Sequence, residues 1–228
     1  MMTKTLIAAS VLAGLLLAGP ATAAPQTYTI VSKLSRVSFN LEHQGFIQLF
    51  GTLRLAPGNF VFDAEDWSQS SVAVKMPIPS LDMGDAVWNQ QIRGDSAWKA
   101  LFSRAEIGFR STKLEQTGPQ QGLLHGELSL AGVTKPVTLQ LRFNKLGLNQ
   151  VSEKPSVGFA ATTTIKRSDF GLDAYADLVG DALAVNIQLE AAVGADGDAG
   201  HATTALGVKP MGGMADQMGK GGKAGSSH

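Results

Sequence analysis

The chain predicts an all-β fold, eight antiparallel strands closed into a barrel. Three features carry this expectation. Apolar and polar residues alternate with a period of two along one stretch after another, the pattern of strands with one apolar and one wet face. Clusters of Gly, Pro and Asn separate those stretches at short intervals. The stretch 124–143 shows both at once: Leu124, Gly126, Leu128 and Leu130 share one face, and Val137, Leu139, Leu141 and Phe143 share one on the return. The connection from Ala131 to Pro136 makes an antiparallel hairpin of the two arms. Pro136 lacks an N–H and belongs at the start of the return strand. A run of antiparallel strands has two open edges, which closure into a barrel removes. A two-sheet sandwich is the alternative arrangement.

Taken in order, the chain of 228 residues opens with a basic start at Lys4, an apolar run from Leu6 to Leu17 and small residues at Ala21 to Ala23. This is the pattern of a cleavable signal peptide over residues 1–23, cut before Ala24. Its apolar run is shorter than the roughly 20 residues that span a bilayer. The folded domain is expected over residues 24–193. Tyr28 to Val31 begins a strand, and the pattern changes phase through Ser32 to Arg36 before resuming at Val37, Phe39 and Leu41. That shift marks a bulge or a corner. His43-Gln44-Gly45 reads as a turn into Ile47, Leu49, Gly51, Leu53 and Leu55. Ala56-Pro57-Gly58-Asn59 reads as a tight turn into Phe60 to Asp63. Val72, Val74, Met76 and Ile78 follow, ended by Pro77 and Pro79.

The segment from Ser80 to Phe102 breaks the strand pattern for longest. Asp82 or Asp85 caps one short helix there and Asp95 a second running through Trp98 to Leu101. This excursion is expected to cover one end of the sheet. Strands resume at Ile107, Phe109 and Ser111, then at the hairpin, at Val157 to Ile165, and at Leu183 to Ala191. From Gly194 to His228 the composition turns to Gly, Ala, Lys, Ser and Met with no period, the expectation for a disordered tail.

The composition excludes several classes. The formal net charge of zero, without a basic stripe, argues against nucleic acid. The absence of Cys means that the fold does not lean on disulfides, although export would permit them. His43 and His125 are the two His between residues 24 and 193 and do not form a metal-ligand spacing, so no metal is expected. Met211, Met214 and Met218 carry thioethers suited to Cu(I), but we read them as incidental to the tail. No nucleophile elbow or triad pattern is present, so no catalytic residues are assigned. The mature chain is expected to be soluble, periplasmic and without a membrane span.

Two stretches are specific when taken together. Leu128-Ser129-Leu130-Ala131-Gly132-Val133-Thr134-Lys135-Pro136-Val137 resembles the L-T-(I/L)-x-G-V-T-(K/R)-P-V hairpin of the YceI-like family. Arg167-Ser168-Asp169-Phe170-Gly171-Leu172 resembles that family's R-S-D-F-G-(M/L) segment. The weaker signals Val37-x-Phe39, His43-x-Gly45 and Phe109-x-Ser111-Thr112 also agree, and the resemblance runs from about Tyr28 to Ala192. The opening departs from the family's Y-x-I-D-x-x-H-S, with Val31 and Leu34 at its Asp and His positions. The resemblance implies a lipocalin-like barrel holding an isoprenoid chain, a polyprenyl lipid or quinone tail, with no cofactor and no general catalytic activity. A homodimer is a candidate assembly.

The apolar face supplies the candidate lumen: Val37, Phe39, Leu41, Leu49, Leu53, Val72, Val74, Ile107, Phe109, Leu128, Leu130, Val137, Leu139, Phe159 and Leu183. Each buried CH2 contributes about 0.8 kcal/mol, so a long hydrocarbon needs few polar contacts. Periodicity alone fits a self-filled core equally well. His43 and Arg167 are the candidate head-group contacts. The segment Arg167 to Gly171 itself reads as a structural corner, with Asp169 suited to bonding backbone N–H groups and Gly171 to an unusual φ. A ligand-independent periplasmic stress-response module is the alternative function.

Overall fold

The structure is a computed structural model that describes residues 24–194. The expected leader and all but the first residue of the expected tail, with its methionines, lie outside the described residues. Ten strands are present: β1 (Gln26–Ile30), β2 (Arg36–His43), β3 (Ile47–Arg54), β4 (Asn59–Phe62), β5 (Ser71–Pro77), β6 (Glu106–Gly118), β7 (Gln121–Leu130), β8 (Val133–Leu148), β9 (Pro155–Lys166) and β10 (Ala182–Ala192). They occupy eight positions, because β1 and β2 both pair with β10 and together form one interrupted strand. β4 pairs with β1 and β3 with β2, so these two form the next interrupted strand. The pairs Thr29↔Ala192 and Ile30↔Ala191 close the ring. The sheet is therefore a closed antiparallel barrel and not a sandwich.

The phase change at Ser32 to Arg36 is the interruption between β1 and β2. Leu34 and Ser35 both donate their N–H to the Val31 carbonyl, at 3.0 Å each. The Ser35 hydroxyl donates to the Glu190 carbonyl at 3.2 Å and accepts from the Glu190 N–H at 3.1 Å. This fully buried Ser thus fastens the bulge to β10. Pro57 and Gly58 form a kink in place of the expected tight turn. β3 and β4 do not pair with each other; the chain kinks and continues along the same barrel position. Ile30 N–H to Gly58 O and Ala56 N–H to Lys75 O, both 2.8 Å, stitch the kink to its neighbours.

The 124–143 hairpin forms as expected, but its turn is tighter. Leu130 pairs with Val133, leaving Ala131 and Gly132 as a two-residue turn with φ of 52° and 90°. Two successive positive φ values match the right-handed strand twist. Pro136 lies within β8 opposite Glu127, beyond the last β9 pairing at Gln140↔Thr162, where β8 has one neighbour. A missing N–H is tolerated there.

The excursion forms α1 (Ala86–Gly94) and α2 (Lys99–Phe102). Asp85 caps α1 by accepting from the Trp88 N–H at 2.8 Å. Asp95 accepts from the Ala97 N–H at 2.9 Å and starts the 3-10 turn that leads into α2. Asp82 instead organises the approach, accepting from Gly84 N–H and the Asn89 carboxamide, both 2.8 Å.

Aromatic rings fill the opposite end of the barrel. Phe62 packs against Phe159, Phe143 and Trp67 with centroids 5.0, 5.6 and 5.8 Å away. Trp67 lies over Gly122, where a Cβ would come within 2.9 Å of its ring. That end is plugged. The other is roofed by α1, α2 and the 172–181 strap.

Candidate functional site

Inward side chains alternate along every strand, and between the plug and the helices they do not meet. A cavity of about 470 Å³ lies beneath the helices, and one of about 150 Å³ lies against the aromatic plug. Val37, Met76, Leu128, Ile165 and Val185 line both and form the waist between them. The lumen is thus one-ended, apolar and elongated along the barrel axis.

All fifteen candidate lumen residues line one cavity or the other. Val37 and Leu128 line both. Phe39, Leu41, Leu49, Leu53, Ile107, Leu130 and Leu183 line the larger. Val72, Val74, Phe109, Val137, Leu139 and Phe159 line the smaller. Strand periodicity locates these positions because closure turns one face of every strand inward. It does not locate the roof. Trp88, Gln91 and Ile92 of α1, then Asp95, Trp98 and Leu101, also face the larger cavity, with Tyr175 and Leu178 of the strap. The spacing Trp88, Gln91, Ile92, Asp95 is one helical face, a periodic signal the sequence reading did not use. Tyr175 and Leu178 carry no periodic signal.

His43 and Arg167 both line the larger cavity. His43 is half-buried at the end of β2, bridged to Val179 of the strap. Arg167 is 3% exposed. Its Nε donates to Gly180 O at 2.9 Å, Nη1 to Leu172 O at 2.5 Å and Ala174 O at 2.7 Å, and Nη2 to Val179 O at 2.7 Å. Four of the five guanidinium N–H groups thus hold the strap in shape. The guanidinium also sits 6.0 Å from the centroid of the Trp98 ring. The Arg167 segment is a 3-10 turn ended by Gly171 at φ 69°, the structural corner read from the sequence. The carboxylate that fixes it is not Asp169. Asp181, across the strap, accepts from the Ser168 N–H and hydroxyl, both at 2.9 Å. Sequence adjacency favoured Asp169; the return of the strap brings Asp181 closer.

Asp95 and Tyr175 join the two sides of the roof. The Tyr175 hydroxyl donates to Asp95 Oδ2 at 2.6 Å, and the Tyr175 and Trp98 rings lie 6.2 Å apart. The Tyr175 hydroxyl, and then the Ala97 N–H, hold the Asp95 carboxyl below the usual carboxylate range. The hydrogen bond to that carboxylate, and then its charge, push the Tyr175 phenol up. Beside the roof, the β2–β3 turn carries an outward apolar tip, with Phe46 83% exposed. Among the described residues, no three His, Asp or Glu side chains gather as a metal site.

A closed antiparallel eight-position barrel around an apolar, one-ended lumen is the architecture of a barrel that can enclose a small apolar ligand. Its family is the YceI-like domain family: a model of that domain matches residues 28–191, and the chain belongs to it. A UPF0312 protein of Azotobacter vinelandii is 34% identical over 172 residues, 75% of this chain and 88% of the relative. Another from Ectopseudomonas mendocina is 32% identical over 171 residues, with the same coverage. Among solved structures, BcnA of Burkholderia cenocepacia superposes with a TM-score of 0.61 at 21% identity, covering 71% of this chain and 98% of BcnA. A polyisoprenoid binding domain from Saccharophagus degradans, implicated in plant cell wall breakdown, gives 0.53 at 15% identity, covering 73% and 98%. At these identities the two structures speak for the fold.

Proposed function

We propose that this protein is an exported, periplasmic binding protein that holds an isoprenoid chain, a polyprenyl lipid or quinone tail, in its lumen for transport, storage or sequestration. The observation that carries this is the cavity of about 470 Å³ opening onto a second along the barrel axis. A dry void costs about 24 cal/mol per Å³. Left empty, the larger cavity would cost on the order of 10 kcal/mol, comparable with the whole stability of a domain. An apolar chain threaded past the waist relieves that cost and needs almost no polar partner. The polyisoprenoid binding domain among its structural neighbours supports the same ligand class. No catalytic role is assigned, and the reading needs none.

Solvent extraction of the purified protein followed by mass spectrometry is the test. Release of a polyprenyl lipid or quinone is expected. An extract free of isoprenoid, together with failure to take up an added one, would overturn the reading.

A second reading, an interaction module that works without ligand, draws on the exposed Phe46, Ile47 and Phe50 of the β2–β3 hairpin. Exposed apolar tips of this kind mark contact surfaces, and a homodimer through it is one form. Sedimentation of the mature protein with Phe46→Ser and Phe50→Ser distinguishes a dimer from a monomer.

A further inference from the structure

We infer that the Asp95–Tyr175 pair makes the lumen selective for isoprenoids with an uncharged, hydrogen-bonding head group, an alcohol or a hydroquinone, over those ending in a phosphate or diphosphate. This rests on the isoprenoid-binding reading above and concerns only the head group.

The roof is where a head group must sit, because the other end of the lumen is filled by the Phe62, Phe143 and Trp67 rings. The groups lining the larger cavity that carry or can carry charge are Asp95, Arg167, His43 and the Tyr175 phenol. Arg167 is committed to Leu172, Ala174, Val179 and Gly180, whose carbonyl oxygens surround its charge, and its plane lies over Trp98. Binding a diphosphate through it would strip donors from the strap. Asp95 is differently placed. Its two oxygens accept one bond each, from Tyr175 and Ala97, and a carboxylate oxygen can accept two. It can therefore take a hydroxyl proton from a ligand without losing its present partners. Gln91, one helical turn earlier on the same face, has no partner for its carboxamide among the described residues. A neutral alcohol can donate to Asp95 and accept from Gln91. A diphosphate has no proton to offer a carboxylate at neutral pH and meets a like charge at short range.

The experiment uses two probes with one tail, geranylgeraniol and geranylgeranyl diphosphate, below their micelle concentrations at pH 8, where an ordinary imidazole is uncharged. Trp88 and Trp98 line the cavity, so their fluorescence reports occupancy. The alcohol is expected to bind at least tenfold more tightly than the diphosphate. Asp95→Asn keeps an oxygen for the Ala97 N–H, turns its amide N–H toward the Tyr175 hydroxyl oxygen, and is an equally good cap, so the fold is retained; it should shrink the difference at least threefold. Raising ionic strength should also shrink it in the unsubstituted protein, since the repulsion is electrostatic. Equal or tighter binding of the diphosphate, or a difference indifferent to Asp95→Asn, would overturn the head-group inference and leave the isoprenoid reading standing. Binding of neither probe would overturn both.

Discussion

Phe39 and Gly51 face each other directly across the β2–β3 ladder, and the ring of Phe39 lies over the bare Cα of Gly51. A Cβ at position 51 would overlap that ring and come within 2.6 Å of Met83 Sδ. Two lumen-facing strands and the first residues of the roof thus meet where one side chain is missing. Overpacking of this kind costs about 1–3 kcal/mol. Gly51→Ala should lower stability by that amount in urea denaturation and, by pushing Phe39 toward the larger cavity, weaken isoprenoid uptake. Unchanged stability and uptake would mean that the ring has room to retreat.

Leu128 lines the waist between the cavities. Leu128→Trp should fill it from inside. Uptake of a long isoprenoid should fall at least tenfold, while stability changes by less than about 3 kcal/mol because a void absorbs the added volume. Retained uptake with a folded far-ultraviolet spectrum would argue that the chain does not pass the waist.

Arg167 should be intolerant even of Lys. A lysine keeps the charge but cannot present donors in a planar fork to four carbonyls. Leaving several of those carbonyls without a partner should cost at least about 3 kcal/mol, read from denaturant midpoints. Ser168→Ala, which gives up one hydroxyl bond to Asp181 at the surface, should move the denaturant midpoint far less than Arg167→Lys.

Acid should loosen both ends of the barrel, the roof and the turn that carries Trp67. Ser68 holds the Asp66 carboxyl below its ordinary range, Asn89 that of Asp82, Tyr175 that of Asp95 and the Ser168 N–H that of Asp181. Each group has a depressed folded value, so its contribution is present above the unfolded value near about 3.9 and is lost as pH falls through the folded one. Tyr175 has the opposite sign: its folded value is raised, so its contribution holds below about 10 and is lost above. Urea midpoints should be flat from these groups between roughly pH 5 and 9 and fall on both sides. Asp181→Asn should flatten the acid limb; an unaltered limb would show that this carboxylate is not part of it.

The break at Ser32 to Arg36, the Asp95 cap and Gly171's positive φ were legible, and the first helix cap was narrowed to Asp82 or Asp85, because each depends on a few neighbouring residues. The kink at Pro57 and Gly58 was read as a tight turn, because turn residues signal a change of direction but not its size. Asp181 was missed as the partner of Ser168 because it lies thirteen positions further along the chain.

The sequence by itself determined most of the strands and which of their faces turns inward, since a period of two leaves no freedom once one face is apolar. It could not decide between a filled core and a hollow one. That depended on how closely opposite walls approach, which closure of the ring sets. Nor could it place the roof, where Tyr175 meets Asp95 across eighty residues of chain. Contacts of that separation are made by the packed barrel, and they decide what the end of the lumen presents to a ligand.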